Sequence, residues 1–123
     1  ESLLKISDVL SIHAPLTPET SKFLNADRIA LLPDGAIVVN TARGDLVDVD
    51  ALIAALRSGK IRAAGLDVFT GEPNINPAYR ELPNVFLLPH TGSATVETRN
   101  AMGFCAVDNL DAVFAGRDPL TPL

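Results

Sequence analysis

The stretch Ala36-Ile37-Val38-Val39-Asn40-Thr41-Ala42-Arg43-Gly44 opens as a short β-branched run without polar alternation and closes in polar residues and a glycine. A continuous apolar run of this length reads as a strand covered on both faces, the habit of parallel sheets. Three runs of the same kind accompany it: Val9-Leu10-Ser11-Ile12, Ala63-Ala64-Gly65-Leu66-Asp67-Val68 and Val85-Phe86-Leu87-Leu88. Helical patterns lie between them. Thr17 with Pro18 and Glu19 predicts an N-cap followed by proline in a first helical turn, and Asn25 predicts the cap of a second short helix through Ile29 to Leu32, stopped by Pro33-Asp34-Gly35. Asp48 and Asp50 place negative charge before Leu52-Ile53-Ala54-Ala55-Leu56, whose two leucines share a face, and Gly59 reads as its C-terminal cap. The longest helix is expected from about Thr95 to Ala115, where Met102, Ala106, Leu110 and Val113 recur at spacings of three and four before Gly116. Pro73 to Pro83 is the one substantial loop, with a helical turn near Ala78 to Glu81.

Strands alternating with helices predict an α/β fold, a parallel sheet with flanking helices joined by right-handed crossovers. Ligands of such sheets bind beyond the carboxyl ends of the strands. Those ends carry His13-Ala14-Pro15, Thr41-Ala42-Arg43-Gly44, Asp67 and Pro89-His90, whereas the opposite edge carries Asp34-Gly35, Lys60-Ile61-Arg62 and Pro83-Asn84, which read as ordinary turns.

With 123 residues, 47% of them hydrophobic, the chain can build one core and one domain. A net charge of -5, with no cluster of Lys and Arg among aromatics, argues against a nucleic-acid partner or an anionic membrane surface. No run approaches the roughly twenty apolar residues of a membrane span, and Glu1-Ser2-Leu3-Leu4-Lys5 lacks the basic and apolar regions of a signal peptide. The lone Cys105, set in a helical pattern, is expected to be a small buried hydrophobe, and a reducing, cytoplasmic setting fits it. The start resembles the last turns of a helix leading into a strand, so the chain is expected to be a piece of a longer protein.

Arg43, Glu72 and His90 stand at or just beyond the ends of three apolar runs. On one edge of one sheet, a cation, a carboxylate and an imidazole would suit reduction of a 2-keto acid, which needs its carboxylate held and its carbonyl oxygen protonated as hydride arrives. A planar guanidinium grips a carboxylate with two parallel hydrogen bonds. Glu72 could accept a hydrogen bond from one imidazole nitrogen and leave the other to donate. Each residue has a plainer reading: His90 as a ring fixed by a backbone hydrogen bond, Glu72 as a solvated loop acid, Arg43 as a surface arginine at a strand end. Asp67, inside a strand run, is a buried carboxylate that needs partners, and a carboxamide NH2 would serve as one. His13 and His90 are the only histidines and no ligand spacing emerges with Cys105, so no metal is expected. The eight glycines form no G-x-G-x-x-G, G-x-S-x-G or G-x-x-x-x-G-K-[ST], which weakens hydrolase and kinase readings and removes the usual dinucleotide fingerprint.

Asn40-Thr41-Ala42-Arg43-Gly44, Gly65-Leu66-Asp67-Val68-Phe69 with Gly71-Glu72-Pro73, and Pro89-His90-Thr91-Gly92-Ser93-Ala94-Thr95 resemble the signatures of the D-isomer-specific 2-hydroxyacid dehydrogenases. Ser11-Ile12-His13-Ala14-Pro15-Leu16-Thr17-Pro18-Glu19-Thr20 is similar to the stretch after that family's fourth strand. The resemblance implies an NAD- or NADP-dependent oxidoreductase in which His90 is the acid and base, Glu72 its orienting carboxylate and Arg43 the clamp that also polarises the keto group. It implies that Asp67 holds the nicotinamide carboxamide, that His13, Ala14, Pro15, Thr41 and Ala42 line the cofactor beside Arg43 and His90, and that Gly92 and Ser93 lie near the nicotinamide. Similar formate dehydrogenases carry glutamine at the place of Glu72, so the glutamate favours hydroxy-acid chemistry. Phe69-Thr70-Gly71-Glu72-Pro73-Asn74 and the long last helix most resemble glyoxylate or hydroxypyruvate reductases. Residues 1–123 then correspond to the second half of a Rossmann-like nucleotide-binding domain, its four strands consecutive neighbours, without the family's glycine-rich half and substrate domain. A homodimer is implied for the intact protein. Two alternatives remain: a dinucleotide-sensing binding protein similar to the family's C-terminal binding co-repressors, and a fragment without activity of its own.

Overall fold

The computed structural model describes residues 1–122, which divide into two compact units, residues 1–90 and the segment from Thr91 onward. The first unit holds a four-stranded parallel sheet in the order β1 (Val9–Ile12), β2 (Ala36–Asn40), β3 (Ile61–Leu66), β4 (Val85–Leu87). The strands are sequence neighbours side by side, as the resemblance implies. A short helix α1 (Ser2–Lys5) precedes β1, α2 (Ala26–Leu31) joins β1 to β2, and α3 (Val49–Ser58) joins β2 to β3.

The register sorts the sheet residues onto two faces. Leu10, Val38 and Ala64 lie side by side, as do Ile12, Asn40 and Leu66. This face packs with Ile29 and Leu32 from α2 and its cap, and with Leu52, Ile53 and Leu56 of α3, into the core. The opposite face departs from expectation. Val9 and Phe86 on it are 57% and 67% exposed, so the edge strands are covered on one face only. A run without polar alternation shows that a strand tolerates burial on both sides; it does not supply the second layer.

Helix ends follow their chemistry. Asn25 Oδ1 accepts the Arg28 N–H at 3.0 Å, and Asp48 Oδ1 accepts the Ala51 N–H at 3.1 Å. Gly59 closes α3 in the left-handed region at φ +80°, where a side chain would be strained. The expected helix after Thr17 does not form. Thr17 and Thr20 bond each other's backbone and side chains, and the Thr20 hydroxyl donates to the Pro15 carbonyl at 2.7 Å, so the segment closes as a turn. β3 runs from Ile61 to Leu66, two residues earlier at both ends than the apolar run suggests: Ile61 pairs with Ala36 across an irregularity in the register, and Leu66 pairs with Asn40 and Leu87, the last residues of β2 and β4. Asp67 and Val68 lie beyond β3, and Leu88 lies beyond β4.

The Pro73–Pro83 loop contains a 3-10 turn at Pro77–Glu81, where buried Tyr79 meets the Phe69 ring edge-on at 6.1 Å. In the second unit, Thr95 caps α4 (Val96–Phe114) by accepting the Thr98 N–H at 3.1 Å. Asn109 clips the following segment to this helix through Thr121, giving and receiving hydrogen bonds of 2.9 and 3.0 Å. Cys105 is exposed, correcting the expected burial, as are Met102, Leu110 and Val113. Helical spacing marks the helix without saying whether a layer covers its apolar face. Among the described residues no helix is long and apolar enough to cross a membrane.

Candidate active site

The carboxyl edge of the sheet is organised by Asn40, the last residue of β2 and 1% exposed. Its Oδ1 accepts the Ala42 N–H at 3.0 Å and its Nδ2 donates to the Arg43 carbonyl at 2.8 Å. A short carboxamide that satisfies the backbone two and three residues onward fixes a turn where the ladder ends. The chain then enters the 3-10 turn Gly44–Leu46, anchored by fully buried Leu46. Arg43 is exposed at this turn, and its Nη1 donates to the Ala42 carbonyl at 2.6 Å instead of to the other candidate residues. The Asn40 carbonyl also accepts the Asp67 N–H at 3.0 Å, which ties the ends of β2 and β3 and places Asp67, 3% exposed, one residue past its strand.

Glu72 sits on the turn that follows. Gly71 adopts φ +79°, and the Asn74 N–H closes onto the Gly71 carbonyl at 2.9 Å. Both carboxylate oxygens are engaged: Oε1 accepts the Phe69 N–H at 2.7 Å, and Oε2 lies 2.8 Å from His90 Nδ1. The His90 ring and then the Phe69 N–H hold the Glu72 carboxyl below the usual glutamate range, against the opposing charge of Asp67. Glu72 is therefore an ionised acceptor at neutral pH. An acceptor at Oε2 places the ring proton on Nδ1 and assigns exchange with a ligand to Nε2. His90 adopts φ +56°, uncommon for a residue with a side chain; such strain concentrates at functional sites. The pair is open to solvent, with the Glu72 and His90 side chains 34% and 50% exposed, and it borders a cavity of about 310 Å³ walled by Phe69, Ile75, Leu87 and Leu88.

The remaining candidates of the first unit are spread along the same edge. His13 follows β1, exposed, with Nε2 2.7 Å from the Ser11 hydroxyl. Ala14 and Ala42 pack partly against the core, while Pro15 and Thr41 are exposed. Gly92 and Ser93 belong to the second unit, in the segment before α4. Direct contact thus joins Glu72 to His90, and Asn40 joins the Arg43 turn to Asp67. Asn40 was not among the candidates; a carboxamide closing an otherwise apolar strand run is the signal that marks it. The Phe69 N–H leaves no trace in sequence, since every residue but proline carries one.

Residues 1–92 match the family model described as D-isomer specific 2-hydroxyacid dehydrogenase, NAD binding domain. The chain is 55% identical over 118 residues to a glycerate dehydrogenase of Hyphomicrobium methylovorum, covering 96% of this chain and 37% of that protein. It is 49% identical over 118 residues to glyoxylate/hydroxypyruvate reductase B of Pectobacterium atrosepticum, with 95% and 37% covered. Among solved structures, the NADPH-dependent glyoxylate/hydroxypyruvate reductase of Sinorhizobium meliloti, in complex with NADP and malonate, superimposes with a TM-score of 0.95 at 45% identity, covering 99% of this chain and 38% of that one. The chain spans little more than a third of the length of these relatives.

Proposed function

The chain belongs to the D-isomer-specific 2-hydroxyacid dehydrogenase family, and we propose that it forms the nicotinamide side of an enzyme interconverting a 2-keto acid and a D-2-hydroxy acid. The observation that carries this reading is the 2.8 Å contact between Glu72 Oε2 and His90 Nδ1 at the carboxyl edge of the sheet. Glu72 fixes the ring and its tautomer, and Nε2 hands a proton to the forming alkoxide in reduction or takes it from the alcohol in oxidation. Arg43 turns its guanidinium from the Ala42 carbonyl to the substrate carboxylate and polarises the adjacent keto oxygen. When bound, the reduced dinucleotide, NADH or NADPH, would supply the hydride for reduction, and its oxidised form would accept it in the reverse direction.

The donor set suits that cofactor: the buried Asp67 carboxylate can accept from a carboxamide NH2, and His13, Ala14, Pro15, Thr41 and Ala42 lie along the strand ends where a dinucleotide rests. Gly92 and Ser93 are assigned to the nicotinamide on the motif alone. Glyoxylate and hydroxypyruvate are the proposed keto acids, supported by reductases of both among the relatives. We further place residues 1–123 as part of a longer cytoplasmic protein that works as a homodimer, with the glycine-rich half and the substrate domain outside these residues.

The test follows oxidation of NADH and NADPH by the full-length protein with glyoxylate, hydroxypyruvate and pyruvate. Turnover with either of the first two supports the assignment. Cofactor-dependent assembly without turnover would replace it with a dinucleotide-sensing role.

A further inference from the structure

Gly44 lies where the Arg43 turn meets the loop carrying Glu72. A Cβ built on Gly44 would overlap the backbone carbon of Phe69 and the backbone nitrogen of Thr70, and would lie 2.5 Å from the Phe69 carbonyl oxygen. Backbone atoms cannot swing aside like the tip of a side chain, so one of the two segments would have to move. The turn is the more firmly held. Asn40 pins it at Ala42 and Arg43, the Leu46 and Val47 amides close onto Arg43 and Gly44 at 3.3 and 3.1 Å, and Leu46 is fully buried. On the other side Thr70 is exposed and Phe69 only half-buried. The loop yields first.

That loop cannot shift without consequence, because the Phe69 N–H that would move is the one holding Glu72 Oε1 at 2.7 Å. We propose that Gly44 is a positioning residue: by letting the Arg43 turn seat directly against Phe69-Thr70, it fixes the loop that aims Glu72 at His90. The proposal rests on the acid-base reading above only for the purpose of the Glu72–His90 pair; the contact itself stands without it.

The experiment is a ¹³C NMR titration of the glutamate side chains in the full-length protein, parent against Gly44→Ala. Glu72 faces His90, the Phe69 N–H and the charge of Asp67, and its carboxyl in the parent is held below the ordinary range. We expect Gly44→Ala to raise the Glu72 titration toward the ordinary glutamate range, while the amide signals of α3 and β2 stay in place. A folded Gly44→Ala chain whose Glu72 titrates with the parent overturns the proposal. Should Gly44→Ala fail to fold, one glycine inserted between Thr70 and Gly71 in that variant gives the loop room to withdraw. Recovered folding with Glu72 still titrating in the ordinary range supports the proposal; no recovery, or recovery with the parent's low titration, overturns it. Because the titration needs no turnover, absence of keto-acid reduction would remove the acid-base reading and leave this result standing.

Discussion

At the scale of single residues, the same carboxyl edge holds two kinds of charged group. Glu72 is committed at both oxygens and so is preset in one geometry, whereas the Arg43 guanidinium is exposed and donates to its neighbour's carbonyl. A preset carboxylate suits a residue that orients a ring; an arginine that can swing suits one that closes on an incoming anion. Arg43→Lys tests the second role. A point charge cannot reproduce a planar fork, so kcat/KM of the full-length enzyme should fall roughly tenfold to a hundredfold, the worth of a charged hydrogen bond of about 1.5–3 kcal/mol, with Tm unchanged. An unchanged kcat/KM would return Arg43 to an ordinary strand-end arginine, and a large loss of Tm would make it structural. The motif residues around both groups could be read from sequence because each is an unusual polar residue at the end of an apolar run. The seat at Gly44 could not, since it arises from the approach of residues 25 positions apart.

At the scale of elements, capping accounts for the helix that packs most closely on the sheet. Asp48 accepts the Ala51 N–H, which is the first cause of its lowered carboxyl pKa, with Lys22 contributing at 3.6 Å. Because the folded value lies below the unfolded one, the stabilisation is fully present above the ordinary aspartate range and is lost as pH falls through the folded value. Asp48→Ala should therefore cost about 1 kcal/mol near neutral pH, read as a lower Tm, and the gap between parent and variant should close on acidification. A gap that persists at the acid end would assign the loss to packing. All four strands and the caps at Asn25 and Gly59 follow from local sequence, because each depends on residues within a few positions. The ends of β3, the turn at Thr17 and the exposed face of β1 and β4 depend on register, on side chains competing for the backbone and on a second layer, none of which a single run of residues encodes.

At the scale of the whole molecule, the chain supplies strand ends and a paired Glu72–His90 but no G-x-G-x-x-G turn to seat a pyrophosphate at a helix N-terminus. Calorimetric titration of the 123-residue chain with NADH should accordingly give binding weaker than micromolar; micromolar affinity would mean that the nicotinamide side alone holds the cofactor. The central claim is that Glu72 and His90 act as one acid-base unit. Reduction of a keto acid needs a proton delivered from Nε2, and the Glu72 carboxylate at Nδ1 holds the ring that delivers it. The direct measurement is the pH dependence of kcat/KM for glyoxylate or hydroxypyruvate reduction by the full-length enzyme, with saturating reduced cofactor, for parent, Glu72→Gln and His90→Ala. The account predicts that Glu72→Gln lowers kcat/KM, because a neutral amide holds the Nδ1–H more weakly than a carboxylate does, and that His90→Ala lowers turnover by about 10²–10⁴ at every pH; a Glu72→Gln profile superimposed on the parent's would contradict it.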